Sequence, residues 1–436
     1  MSPALVAADL IKVEQDLLVG DSRSLSSAEK RINTLESLLP SFPRTPDLTK
    51  IQISFLTAKA HLQRAQCRYD DSVILYDQAL TKLNEFTLDR QYQDRQKANL
   101  WTCRGIGLLG AKAWQAAIQS FDQAIAIRRR SSDSGAHWGL AAALINRGEA
   151  LGKLGGDANW TAAVEAQEQA IDALAIFAFE KNPGIANRLA LAWMNRGEAL
   201  AQLTEKHGAD RASDSMDSYD KASQILEPLA GAGHPDSARV LAVILANGSR
   251  ARLRFSHGAP EVTAQLARRA LLLVADQTNL DRELLEVVLT ASLTLCRSLL
   301  QSEPSEDLDA EITEIADSAL STLAARWQYD PEDETLVSLA SEVFLCGADA
   351  YLRYQPHFLT DYLLDQLDPD RSPAVLSQVE VCHEAAVRIL WRGLGEFQRA
   401  GFADIGSERF DSQLSRQTEW QQCRERLKKV RQKVLP

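Results

Sequence analysis

The sequence predicts an all-α protein, a solenoid of antiparallel helix pairs. Three observations predict it. One hexapeptide occurs twice: Asn146-Arg147-Gly148-Glu149-Ala150-Leu151 returns as Asn195-Arg196-Gly197-Glu198-Ala199-Leu200. Each copy stands inside an apolar helical pattern, followed by a loop and a second helical pattern, so the repeat sets the whole architecture. The composition favours helix as well: 45% hydrophobic and 25% charged, rich in Ala, Leu, Glu, Gln and Arg, with no alternating β-branched runs.

The elements follow in order. Residues 4–19 carry apolar positions 5, 6, 10, 13, 17 and 18, a helical stripe closed by Gly20 and Asp21. Ser26 with Glu29 reads as a capping box for a helix that runs to Leu39. A loop with Pro40, Pro43 and Pro46 then marks a break, and 1–47 is expected to be an N-terminal helix pair. Pairs are expected at 51–67 with 72–88, 98–109 with 114–129, 139–154 with 161–179, and 186–203 with 212–226, the last closed by Pro228. Two more follow at 236–255 with 260–276 and 281–300 with 308–327. The expected solenoid therefore covers 48–330. Residues 331–436 are expected to hold a looser pair, 331–354 with 373–400, and a capping helix at 412–434 whose basic face suits a chain end.

Small residues recur where two helices must approach. Trp101, Gly105 and Leu108 face Ala117, Phe121 and Ala124. The same order returns at Leu144, Gly148 and Leu151 with Ala163 and Ala170, and at Trp193, Gly197 and Leu200 with Tyr219 and Ala222. It is found again at Leu56 and Ala60 with Ser72, Tyr76 and Ala79, and more weakly at Leu245 and Ser249 with Ala267 and Ala270. This pattern resembles the tetratricopeptide repeat (TPR) family over about residues 50–275. The resemblance implies a right-handed solenoid whose first helices line a concave groove. The period departs from the family: these pairs recur at roughly 45 to 50 residues instead of about 34, which lengthens the helices. Arg147 and Arg196 stand where the family usually has Leu.

Asn146, Asn195 and Asn247 fall in register, two residues before the small residue of their helices. In the family an asparagine here commonly reaches the backbone of a bound peptide. An amide donates and accepts, so it can pair with an extended chain of any sequence. The competing reading is that each amide bonds a neighbouring helix and only fixes the stacking. Glu149, Glu198 and Arg250 lie on a nearby face as candidates for reading charge on a partner, or as a solvated face with salt bridges to Arg147 and Arg196. Ile145 and Met194 are apolar candidates for the same groove, or core residues.

No catalytic set, cofactor loop or metal motif is legible. The seven histidines are scattered, no HExxH or CxxC occurs, and Asp70-Asp71 opens a helix, where N-capping explains it. The formal net charge of -11 disfavours nucleic acid. No stretch is apolar enough to span a bilayer. The first twenty residues lack a basic n-region, and the six cysteines are dispersed, which fits a cytoplasmic protein with reduced thiols. The expected function is a noncatalytic scaffold or adaptor, without cofactor, that binds a peptide or a partner's helix. The alternatives are a ligand- or peptide-responsive regulator and a fixed subunit of a larger complex.

Overall fold

Helix caps and close helix contacts build the chain pair by pair. A computed structural model describes residues 3–326, apart from 20–21, 42–44, 86–88, 132–133, 180–181, 208–209, 256–259, 276–279 and 304, with scattered helical positions from 335 to 350. The expected helices at 373–400 and 412–434 lie outside the described residues. The described residues are α-helical, as the repeat predicts, apart from turns and a 3₁₀ turn at Leu39–Ser41. The chain forms two units, Met1–Ile225 and Leu226–Pro436.

The first unit opens with α1 (Pro3–Val19) and α2 (Ser22–Leu38), which pack on each other and on α3 (Pro46–Ala65). Val6, Leu10, Val13, Ile32 and Leu35 share one core with Phe55, Ala58 and Leu62 of α3. Three further pairs follow after α3 meets α4 (Tyr69–Glu85). They are α5 (Arg90–Gly110) with α6 (Trp114–Arg128), α7 (Ser134–Leu154) with α8 (Asp157–Leu174), and α9 (Pro183–His207) with α10 (Asp210–Gly231). α3, α5 and α7 each touch their own second helix and the first helix of the next pair: α3 meets α5, α5 meets α7, α7 meets α9. Each second helix also meets the next first helix, as α4 meets α5 and α6 meets α7. Among the described residues these contacts join successive helices and pairs, the solenoid pattern, TPR-like in its pairs.

The second unit repeats the scheme with α11 (Pro235–Arg254), α12 (Pro260–Ala275), α13 (Arg282–Leu299) and α14 (Glu306–Arg326). α11 packs on α12 and α13, and α13 on α14. α13 is buried on almost every side, from Leu284 to Leu299.

Local chemistry fixes the ends. Thr45 accepts from the Leu48 amide at 3.2 Å, Asp89 from Tyr92 at 2.9 Å and Asp281 from Leu284 at 3.1 Å, each meeting an orphan donor of a first turn. The pair turns close on left-handed residues, Cys67 at φ 60 and Lys112 at φ 58. Behind them Arg68 N donates to Gln63 O at 2.8 Å and Ala113 N to Leu108 O at 2.9 Å, the Schellman closure.

Several expected boundaries move. Ser26 sits inside α2, which already starts at Ser22, so it is not an N-cap. Pro46 is not part of the preceding loop but the first helical residue of α3, where its missing N–H costs nothing. Asp70 and Asp71 lie in the first turn of α4, favourable to the helix dipole, rather than at its cap. Pro228 lies inside α10, which continues to Gly231. The first helices also begin well before the apolar pattern. α5 and α7 have 21 residues, from Arg90 and Ser134, and α9 has 25, from Pro183. Among the described residues, no helix is long and apolar enough to cross a membrane.

Candidate partner-binding face

The repeated hexapeptide places its glycine against the second helix of its own pair. A Cβ on Gly105 would come within 2.5 Å of the Phe121 ring, and one on Gly197 within 3.0 Å of Tyr219 and 3.1 Å of the Ser215 carbonyl. Gly148 instead faces the side chain of Gln167. Gln167 is fully buried, and its Nε2 donates to the Ile145 carbonyl at 3.0 Å. A buried amide therefore takes the place that Phe121 and Tyr219 fill in their pairs. The glycines let the backbones approach, and the approach fixes which side chains of the first helix face away from the partner helix.

The residue just before each glycine is an arginine, and all three do one job. Arg104 of α5 forks onto Asp77 of α4, Nε to Oδ1 at 2.7 Å and Nη2 to Oδ2 at 3.3 Å, and gives Nη1 to Ser120 of α6 at 2.8 Å. Arg147 of α7 bonds Asp122 of α6 at 2.7 Å. Arg196 of α9 bonds Glu168 of α8 at 3.0 Å and Ser218 of α10 at 2.7 Å. Arg104 and Arg196 also lie over Trp101 and Trp193 of their own helices, at 5.5 Å and 5.7 Å. These arginines tie one pair to the next. The sequence reading noted Arg147 and Arg196 but matched them to Glu149 and Glu198, and it missed Arg104. The signal was there: an arginine directly before the small residue in three successive pairs.

The candidate residues divide between the units. Asn146 and Ile145 stand on α7, Asn195 and Met194 on α9, all in the first unit, while Asn247 and Arg250 stand on α11 in the second. Asn146 and Asn195 are half-buried. Among the described residues neither amide makes a side-chain hydrogen bond, and neither amide is sealed from solvent. Asn247 is half-buried and already engaged within the protein, as are exposed Glu149 and exposed Arg250. Glu198 accepts from Gln202 Nε2 and from the Tyr219 hydroxyl, both at 2.9 Å, so it braces α9 on α10. Met194 is half-buried, whereas Ile145 belongs to the core with Leu144, Leu174 and Leu189. On α5 the register of the two amides is held by Cys103, whose thiol burial pushes above its ordinary range.

No family model and no curated protein sequence matches the chain. Similar solved structures exist. A Rap protein complexed with competence and sporulation factor has a TM-score of 0.47 at 13% identity, covering 92% of this chain and 100% of its own. The apo form of RapI has 0.44 at 12%, covering 81% and 99%. NprR in complex with its cognate peptide NprX has 0.38 at 11%, covering 90% and 98%.

Proposed function

We propose that the chain is a noncatalytic binding protein that holds a peptide or a partner's helix along the first helices of its first unit. One observation carries the reading: Asn146 and Asn195, in register on α7 and α9, have amides open to solvent and not spent on the fold. A half-buried amide that only fixed the stacking would be hydrogen-bonded to it, as Gln167 is through its Nε2. Two such amides on adjacent helices offer two donors and two acceptors to one extended backbone. The similar Rap structure holds competence and sporulation factor and the NprR structure its cognate peptide NprX; the reading here stands on the amides.

A responsive version of this function has its own support. Successive pairs are tied by arginine ion pairs in which the acid is about half exposed, 48% for Asp77 and for Asp122 and 50% for Glu168. Exposed ion pairs contribute little and exchange easily, so a bound segment can reset the stacking at small cost.

The test is titration calorimetry with a partner recovered from the native cell. Asn146→Ala with Asn195→Ala is expected to weaken binding by about tenfold or more, since each lost hydrogen bond is worth ~1 kcal/mol, while helicity and melting stay unchanged. Unchanged affinity in the double variant would exclude the amides from the site. Small-angle scattering with and without the partner then separates a rigid scaffold from a responsive one.

A further inference from the structure

α9 carries a second polar residue in line with Asn195. Arg188 stands two helical turns earlier, so the two side chains leave α9 in nearly the same direction, about 10 Å apart along its axis. The guanidinium carbon of Arg188 lies over the Trp138 ring of α7, 4.2 Å from its centroid. That is contact distance, and it joins the two helices that carry Asn146 and Asn195. Trp138 is half-buried against the core of Ala141, Leu144, Ile185 and Leu189. Arg188 is half-buried too, and burial pushes its pKa down. Yet among the described residues its side chain makes no hydrogen bond and no ion pair, and its nitrogens are not sealed from solvent. Arg104 and Arg196 also stack on tryptophans, Trp101 and Trp193, but each gives N–H groups to an acid of the preceding helix. Arg188 has the stack without the acid.

A guanidinium offers two surfaces, a flat face that stacks and a coplanar edge of N–H donors that pairs. Trp138 holds the face of Arg188, so the edge is left both oriented and open. A planar carboxylate fits that edge with two parallel hydrogen bonds. One arginine balances one negative charge, and this cation has already given up part of its water, so a carboxylate meets it at a reduced desolvation cost. We propose that Arg188, held on Trp138, is a carboxylate subsite beside the Asn195 amide, which receives an Asp or Glu side chain or the chain end of the bound peptide. The inference rests on the peptide-binding reading above and gives that peptide a chemistry. With its backbone on Asn195, its carboxylate lies at most about three extended residues away, at ~3.3 Å per residue.

The test uses the full chain and two synthetic libraries of random octapeptides, one with a free C-terminal carboxylate and one amidated. Retained peptides are identified by mass spectrometry and titrated singly. A chain-end carboxylate predicts a loss of affinity of about tenfold or more on amidation, and a side-chain carboxylate the same loss when its Asp or Glu becomes Asn or Gln. In either case Arg188→Gln is expected to erase the discrimination. Arg188→Lys keeps the charge and the stem but not the fork, and is expected to retain only part of it at an unchanged melting temperature, which separates recognition from folding. Asn195→Ala should instead weaken acidic and neutral versions of a peptide equally. Peptides retained equally with and without a carboxylate, or a carboxylate preference that survives Arg188→Gln, overturn the subsite and leave the amide reading intact. Retention of nothing from either library overturns the subsite and the peptide form of the reading beneath it.

Discussion

Tyr76 in the α3/α4 pair and Tyr219 in the α9/α10 pair occupy matching places. Each follows a fully buried serine, Ser72 or Ser215, and precedes a fully buried alanine, Ala79 or Ala222. Tyr76 clusters with Ala60, and Tyr219 packs on Gly197. The difference lies in the next residue of the first helix. Gly197 is followed by Glu198, whose carboxylate accepts a hydrogen bond from the Tyr219 hydroxyl at 2.9 Å. Ala60 is followed by His61, which meets Tyr76 only edge-on. One frame thus spends its hydroxyl on the fold, and the other leaves it unspent. The lesson is that packing position and hydrogen-bond role are set by different residues, so a repeat can keep the first and vary the second.

The largest test of this parallel removes both rings. Tyr76→Ala and Tyr219→Ala are each expected to cost about 3–5 kcal/mol in urea unfolding, because both empty a fully buried site. Clearly unequal costs would break the matching of the two sites. Removing only the oxygen should separate them. Tyr219→Phe takes a hydrogen bond from a carboxylate and is expected to cost about 1.5–3 kcal/mol, whereas Tyr76→Phe deletes an unpartnered buried hydroxyl and should be neutral or stabilising.

Titration sharpens the contrast next. Burial, aided by the charge of Arg64, lowers the His61 pKa from 6.5 to about 4. The unfolded chain therefore takes up that proton first. Stability is complete above about pH 6.5 and is lost as pH falls toward 4. Across that window the wild type should lose more stability than His61→Gln, measured by unfolding at each pH; parallel curves would place His61 in water. The smallest effect belongs to the ties between pairs. Arg147→Gln is expected to cost ~0.2–1 kcal/mol at low salt and to merge with wild type at high salt, as a half-exposed ion pair should.

The fold was legible because its signal is repeated. Gly105, Gly148 and Gly197 each announce a close helix contact, and three such contacts in register leave little choice of architecture. Helix starts were less legible. The opening of α5, Arg90-Gln91-Tyr92-Gln93, is mostly polar and buries nothing before Ala98, so an apolar pattern cannot report it; α7 and α9 open on short stretches with glycine and proline whose one or two buried residues, Ala136, Ile185 and Ala186, are too few to set a period. Gln167 was invisible for a different reason: an amide in an aromatic's place has no hydrophobic signature, and only the coordinates reveal its bond to Ile145. The register of Asn146 and Asn195 was legible in sequence, whereas the lack of a side-chain hydrogen bond at either amide among the described residues was not.

Arg104 and Arg196 each hold three helices at once: the one before, their own, and the one after. Each such tie is weak by itself, but a pair that swings on its neighbour must give up contacts on two surfaces together. Opening should accordingly travel inward from the ends of the first unit, pair by pair, rather than begin as a gap in its middle.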